Sequence, residues 1–236
     1  MSRVVAVALC LTALAPLSQL RAQRRELTLL AGSTLSGASG DHLDQLTMQA
    51  GFAAGLSLRL PRSPQFSLQT ELLIVQHRLR GQRPGGNQPP LAVGPFADAA
   101  NLWFVNIPVL LRFQRGYSSR RPIRPYLIAG GYLAVRLACR HQVTESNGTA
   151  HDTDCAAGPS VVTFGSETYI PAVYEEVNVG LTAGAGVELK RLALGARFAQ
   201  SLRPMVQPGG GVRTSPFDNA RPWTALFSVE YLIRVL

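Results

Sequence analysis

The chain has 236 residues, and Asp, Glu, Lys and Arg make up only 16% of them, against about 25% in soluble domains. Of its 23 basic residues 22 are arginines, and they are spread along the sequence without a basic stripe interleaved with aromatic residues. The net charge of +9 therefore does not indicate a nucleic-acid-binding protein.

The first 22 residues have the three parts of a secretory signal peptide. Arg3 gives the positively charged start, an apolar core covers residues 4–17, and Ala22 ends the segment that precedes the predicted cleavage site. A retained membrane anchor is the alternative, but the apolar core is shorter than the roughly 20 residues that a membrane helix needs. We therefore predict that residues 1–22 are removed on export and that residues 23–236 form one domain.

From residue 26 onward the sequence alternates between apolar residues and small or polar residues with period two. This alternation is typical of a β-strand with one apolar face. It is weak in the first segment, RELTLLAGSTL, and clear in the others, which are MQAGFAAGLSLRL, FSLQTELLIVQHRLR, NLWFVNIPVLLRF, PYLIAGGYLAVRLAC, VNVGLTAGAGVEL, LALGARFAQSL and WTALFSVEYLIRVL. The sequence thus predicts eight strands.

The connections between these strands alternate in length. Short connections are predicted at residues 61–64, at 116–123 and around Lys190-Arg191, and long ones at about 36–48, 81–100, 140–174 and 203–221. With eight strands, every short connection falls on one rim and every long one on the other. Outer-membrane barrels have this arrangement, with short periplasmic turns and long external loops.

The polar faces distinguish a soluble barrel, which is apolar inside, from a membrane barrel, which is apolar outside. They consist mainly of Gly, Ser, Thr and Asn with widely spaced charges, which suits a crowded lumen better than a surface in water. Trp103 and Phe113 lie ten residues apart on one face. That is about 33 Å of strand, or ~25 Å of height after a tilt of about 40°, which matches the apolar band of the outer membrane.

We therefore predict an all-β fold, an eight-stranded antiparallel up-and-down transmembrane β-barrel with a packed polar lumen, in the bacterial outer membrane. The residues predicted to form its aromatic girdle are Trp103, Phe113, Trp223 and Tyr231.

The same alternation, which we call strand parity, also places a set of charged residues on the faces that point into the lumen. They are Arg59, Glu71, Arg112, Arg136, Glu188, Arg197, Glu230 and Arg234. Because eight strands leave an interior just wide enough for side chains to fill, we predict that these residues form a structural network of ion pairs. The alternative is a selectivity filter, which needs more strands to open an aqueous channel.

Five segments occur in the order seen in the PorT-like outer-membrane β-barrel family, also known as porin-family barrels. They are TELLIVQ, VNIPVLLRF, RPYLIAGGYLAV, VNVGLTAGAGVEL and LGARFAQSL, and the resemblance covers residues 26–236. The resemblance implies an eight-stranded barrel in a diderm outer membrane, inserted by the barrel-assembly machinery. Some members of that family are linked to protein secretion. The resemblance implies no catalytic residues.

The remaining motifs do not indicate an enzyme. His77 would suit a barrel-embedded lipid hydrolase, but the sequence offers no recognisable serine or carboxylate partner for it. His141, His151, Asp152 and Asp154 share one predicted loop without the spacing of metal ligands. We therefore predict no catalytic residue, no cofactor and no metal site.

Cys139 and Cys155 are the cysteines that remain after the predicted cleavage, because Cys10 lies in the signal peptide. Export places both in an oxidising compartment, where disulfides persist. We predict a disulfide between them that holds the base of the largest external loop to the barrel rim. Free thiols and an intermolecular bridge are the alternatives.

Together these features predict a monomeric barrel of structural or interaction type, linked to envelope maintenance or protein secretion. Its predicted partners are outer-membrane lipid and a protein that binds the long external loops. We predict that it does not bind nucleic acid. The first alternative is a narrow porin for small solutes, and the second is a lipid hydrolase.

Overall fold

The structure of the chain is a computed structural model. The residues that the structure describes are 25–39, 46–83, 96–114, 123–144, 148–153, 162–164, 167–169, 174–204 and 221–235. Within them, no helix is long and apolar enough to cross a membrane. The predicted signal peptide, residues 1–22, lies outside the described residues.

The described residues form strands connected by turns and loops. The strands are β1 (Glu26–Ser39), β2 (Leu46–Pro61), β3 (Phe66–Arg83), β4 (Phe96–Gln114), β5 (Ile123–Thr144), β6 (Ala150–Thr153), β7 (Val162–Phe164), β8 (Glu167–Tyr169), β9 (Val177–Leu189), β10 (Leu192–Ser201) and β11 (Arg221–Val235).

Eight of these strands close into a barrel in the order β1-β2-β3-β4-β5-β9-β10-β11, and β11 pairs back with β1. Every neighbouring pair is antiparallel. Closure matters because no water in the hydrocarbon layer can satisfy the backbone groups of a free sheet edge. The predicted eight-stranded antiparallel up-and-down barrel is confirmed.

Several strands extend further than the sequence predicts at the end with the long connections. β3 continues to Arg83, β4 begins at Phe96, and β5 continues to Thr144. Strand β6 pairs with this outer part of β5, while β7 and β8 form a separate hairpin. The predicted boundaries were too short because alternation with apolar residues stops where a strand leaves the lipid, whereas the ladder of backbone hydrogen bonds does not.

The opposite end of the barrel has the short connections, and the first barrel strand begins and the last one ends there. At this end β1 starts beside the end of β11, with Glu26 opposite Val235. The turn between β9 and β10 has two residues, and Lys190 adopts the left-handed conformation (φ 55°) that tight hairpins favour. Because outer-membrane barrels place short turns in the periplasm, we assign this end to the periplasm and the other to the exterior.

The outer surface is apolar around the middle of the barrel. Side chains such as Leu72, Val109, Leu127, Leu181 and Phe227 are each more than half exposed. A soluble protein rarely exposes so large a continuous apolar surface. The predicted facing is therefore that of the structure, with the apolar residues turned toward lipid.

All four residues predicted for the aromatic girdle lie on outward strand faces. Phe113 and Tyr231 are exposed, while Trp103 and Trp223 are half-buried. Neighbouring rings pack against three of them, in the pairs Phe52–Trp103 (centroids 5.1 Å apart), Phe66–Phe113 (5.1 Å) and Phe198–Trp223 (5.7 Å). Rings therefore pack at both edges of the apolar surface, where aromatic girdles lie in such barrels.

The lumen is packed, and apolar side chains share it with the predicted polar ones. Its apolar side chains form three buried clusters, which are Leu79, Ala100, Leu102, Phe104, Ala134 and Tyr174, then Leu30, Ala53, Leu73, Val75 and Leu226, and finally Leu110, Tyr126, Ile128 and Ala193. On β3, Leu73 and Val75 lie on the same inward face as Glu71, so this face combines polar and apolar residues.

Glycines on β9 make room for two large inward side chains. A Cβ atom at Gly180 would collide with the ring of Tyr132, and one at Gly186 with the ring of Tyr126. Each of these glycines on β9 lies opposite a tyrosine on β5, so the tyrosine rings fill the lumen without forcing the strands apart.

Candidate functional site

Eight charged residues of the lumen form one connected cluster in the half of the barrel near the periplasm. Within the described residues the ion pairs are Arg59–Glu26 (2.9 Å), Arg59–Glu188 (3.0 Å), Arg59–Glu230 (3.9 Å), Arg112–Glu188 (2.8 Å), Arg112–Glu230 (3.8 Å), Arg124–Glu188 (2.7 Å), Arg197–Glu71 (2.6 Å) and Arg197–Glu230 (3.5 Å). We call these four arginines and four glutamates the lumen network. Their formal charges cancel.

Glu188 on β9 is the centre of one half of the lumen network. Its Oε2 accepts hydrogen bonds from Arg59 and Arg112, and its Oε1 accepts one from Arg124. The Arg112 side chain is fully buried, and its guanidinium lies 3.4 Å from the centre of the Tyr126 ring. Arg112 is thus held by charge on one side and by a cation–π contact on the other.

Arg197 on β10 is the centre of the other half. It donates to Glu71 at 2.6 Å and to Glu230 at 3.5 Å, and all three side chains are buried. The Gln69 amide also donates to Glu71 at 2.6 Å. The buried carboxylates therefore have charged or hydrogen-bonding partners, as charges in a low-dielectric interior require.

The lumen network joins opposite walls of the barrel. Arg59 on β2 pairs with Glu188 on β9, and Arg197 on β10 pairs with Glu71 on β3. In the order of strands around the barrel, β2 and β9 lie four positions apart, and so do β3 and β10. These ion pairs therefore cross the lumen at its full width and occupy it.

Six of the eight charged residues that parity places in the lumen lie in this network. Arg136 does not, since it donates to the backbone oxygen of Tyr174 at 2.6 Å, near the external end. The side chain of Arg234 lies outside the described residues.

Two members of the network were missed by sequence reasoning, Glu26 and Arg124. Glu26 lies directly opposite Arg59, and Arg124 lies directly opposite Glu188. Both have the inward parity of their strands. Glu26 lies inside the first predicted segment, RELTLLAGSTL, where the alternation is too weak to assign a face, whereas Arg124 directly precedes the predicted start of its strand at Pro125.

Above the network, the described part of the lumen contains a small cavity of about 50 Å³, lined in part by Thr34, Tyr132 and Arg197, and a second of about 20 Å³. A cavity of this size has room for one or a few water molecules. Further toward the external end, Leu102 and Phe104 belong to a buried apolar cluster.

His77 faces this cavity and has hydroxyl partners that the sequence did not reveal. Its Nδ1 lies 3.0 Å from Thr224 Oγ1 and 3.4 Å from Ser36 Oγ, on β11 and β1. Its ring packs edge-on against Phe104. In the described lumen the hydrogen-bonding partners of His77 are therefore hydroxyl groups.

The histidines and aspartates near the external end of the barrel do not all point into the same environment. His141 is buried in the lumen against Tyr174, whereas Asp152 is exposed and accepts a hydrogen bond from Gln142. Asp154 lies outside the described residues. Within the described ranges, no group of three or more His, Cys, Asp or Glu side chains is placed to hold a metal ion.

Comparison with known families gives one match that covers most of the chain. Residues 18–207 match the family described as "Outer membrane protein beta-barrel domain". The chain belongs to this outer-membrane β-barrel family. The barrel is accordingly a protein of the bacterial outer membrane.

Solved structures of outer-membrane barrels resemble the barrel at low sequence identity. Ail of Yersinia pestis, solved in complex with the heparin analogue sucrose octasulfate, is 12% identical, with 89% of this chain and 99% of Ail covered and a TM-score of 0.40. OprG of Pseudomonas aeruginosa is 10% identical, with 90% and 97% covered and a TM-score of 0.47. Neisserial surface protein A is 14% identical, with 87% and 96% covered and a TM-score of 0.38. No curated protein sequence matches the chain significantly.

Proposed function

We propose that this barrel is a monomeric structural or interaction protein whose lumen does not conduct solutes. The observation that carries the proposal is the lumen network, in which ion pairs join opposite walls and bury their charges. A narrow porin needs a continuous path of water between the two ends. The lumen network lies in the periplasmic half of such a path and the buried apolar cluster around Leu102 in the external half, which supports a closed lumen.

The first test is conductance. Purified barrel reconstituted in planar lipid bilayers is expected to give no discrete current steps, because neither hydrated ions nor sugars fit a cavity of about 50 Å³. A porin of known conductance, reconstituted in the same lipid, serves as the positive control. Stable current steps of uniform size from the barrel would contradict the closed lumen and favour the narrow porin.

We further propose that the external end binds a protein partner, in envelope maintenance or in protein secretion as the PorT-like resemblance suggests. The long strands support this. β4 has 19 residues and β5 has 22, more than the 9–11 or so that cross the membrane, and β6 widens the sheet beside β5. The sheet therefore continues outside the lipid and gives a rigid base for the external loops. Crosslinking from these loops in intact cells is the experiment that identifies such a partner.

The proposed role includes no catalysis, and we assign His77 to the packing of the lumen, where it contacts the hydroxyls of Thr224 and Ser36. Insertion by the barrel-assembly machinery and a monomeric state are part of the same proposal.

We also propose the disulfide between Cys139 and Cys155. Cys139 is half-buried near the external end of β5, opposite Leu102, and Cys155 lies outside the described residues. A bridge would close a loop of 17 residues, which is worth about 3 kcal/mol by loop entropy. Alkylation of the unreduced protein, followed by intact-mass measurement, is expected to add no alkyl group. Addition of two alkyl groups would show free thiols, and a mass of twice the chain would show an intermolecular bridge.

A further inference from the structure

We propose that the outer surface of β3, β4 and β5, just beyond the external aromatic girdle, binds the phosphorylated headgroup of an outer-leaflet lipid. The site is a groove of about 530 Å³ whose polar lining is Gln49, Arg78, Arg80, Asn101, Arg140, Gln142, Thr144 and Asp152. We call it the rim groove. It lies outside the lumen, so the proposal does not depend on whether the lumen conducts.

The strand register places the groove residues in two rows across the sheet. In the first row Asn101 on β4 lies between Arg78 on β3 and Arg140 on β5. In the second row Ala99 lies between Arg80 and Gln142. In both rows two long side chains flank a shorter central one, which makes the surface concave.

The dimensions of the first row suit a phosphate group. Arg78 and Arg140 lie two strands apart, so their Cα atoms are about 9.6 Å from each other. Both side chains are exposed and point outward, with only Asn101 between them. Two guanidinium groups at this separation can converge on the oxygens of one phosphate, for which their planar forks are well suited.

The charge of the groove also favours an anion. It contains three arginines and one aspartate, and no ion pair joins Arg78, Arg80 or Arg140 to a carboxylate among the described residues. This differs from the lumen, where every arginine of the network is paired with glutamate. The arginines of the groove therefore keep their charge available for a ligand.

The height of the groove identifies the ligand as a lipid headgroup. Trp103 occupies the row directly below Asn101 on the same outward face, packed against Phe52. One row corresponds to two residues, or about 6.6 Å along the strand. The arginines thus begin one step above the girdle that marks the edge of the hydrocarbon layer, at the level of the headgroups of the external leaflet.

The neighbouring polar groups match the rest of such a headgroup. Gln142 and Thr144 offer amide and hydroxyl groups for sugar or glycerol hydroxyls, and Asp152 accepts a hydrogen bond from Gln142 at 3.3 Å. Asn101 also lines the groove, and its amide is hydrogen-bonded to that of Gln76 at 2.9 Å. The groove is therefore expected to prefer a phosphorylated glycolipid over inorganic phosphate.

The test compares lipids with and without phosphate on the purified full-length barrel in detergent micelles, with native mass spectrometry as the readout. The probes are bisphosphorylated lipid A, its enzymatically dephosphorylated form, and inorganic phosphate. We expect lipid A to bind at least about tenfold more tightly than the dephosphorylated form, and raised salt to weaken its binding. The double variant Arg78→Gln/Arg140→Gln is expected to lose this preference.

The matched control is Arg62→Gln/Arg191→Gln, which removes the same charge from exposed positions in the periplasmic turns. It should bind lipid A like the wild type, and heat-dependent mobility in gel electrophoresis checks that both variants are folded. Equal binding of the two lipids, or undiminished binding by Arg78→Gln/Arg140→Gln, would overturn the proposal. Displacement of lipid A by an equal concentration of inorganic phosphate would also overturn it and would show a free-phosphate site instead.

Discussion

Replacing Arg112 by alanine is expected to lower the free energy of unfolding of the barrel by about 3–5 kcal/mol, the cost typical of breaking a buried ion pair. The Arg112 side chain is fully buried, and its guanidinium contacts Glu188 at 2.8 Å and Glu230 at 3.8 Å. Its removal leaves buried carboxylates with less compensating charge and also removes the contact with the Tyr126 ring. Urea unfolding in phospholipid vesicles, followed by tryptophan fluorescence, measures the change.

Arg124→Ala is the matched control for this variant. Arg124 also contacts Glu188, at 2.7 Å, but its side chain is 26% exposed at the edge of the network. Water compensates for its loss, so we expect a cost of about 1 kcal/mol or less. If both variants lost the same small amount of stability, the lumen network would not be the brace that its geometry indicates.

Replacing Val109 by arginine is expected to lower the free energy of unfolding by about 2–4 kcal/mol, as for a charge at the bilayer midplane. Val109 is half exposed on the outward face of β4 and lies between Trp103 and Phe113, which mark the two edges of the apolar surface. The guanidinium cannot reach either interface without distorting the lipid. The same urea titration in vesicles provides the measurement.

Ile123→Arg is the depth control, because Ile123 is also half exposed but starts β5 at the periplasmic edge, where an arginine costs about 0–1 kcal/mol. Cysteine labelling gives an independent check of the facing in a background without Cys139 and Cys155. A cysteine at Val109 should be protected from a charged maleimide by lipid. Labelling there, together with lipid protection at Asn106, would mean that the assigned faces are inverted.

The two charged regions of the barrel differ in what their arginines do. In the lumen network the arginines are buried against glutamates, and the net charge of the network is zero. In the rim groove Arg78, Arg80 and Arg140 are exposed, at the level of the headgroups. The first arrangement braces the barrel from inside, and the second offers positive charge to the membrane surface.

Period-two alternation by itself determined the strand number, the facing and the membrane environment, because these follow from local rules. Side chains alternate across every strand, and lipid and lumen impose opposite demands on the two faces. The same rule placed Arg59, Glu71, Arg112, Glu188, Arg197 and Glu230 in the lumen.

Only the tertiary structure decided which of these groups meet. Arg59 and Glu188 lie on strands at opposite sides of the barrel, and Arg197 and Glu71 likewise, so their pairing depends on closure and on the register of every ladder between them. The row of Arg78, Asn101 and Arg140 in the rim groove likewise exists only through the pairing of three polar strand ends. Alternation could not predict it, because beyond the lipid the outward face meets water and no longer has to be apolar.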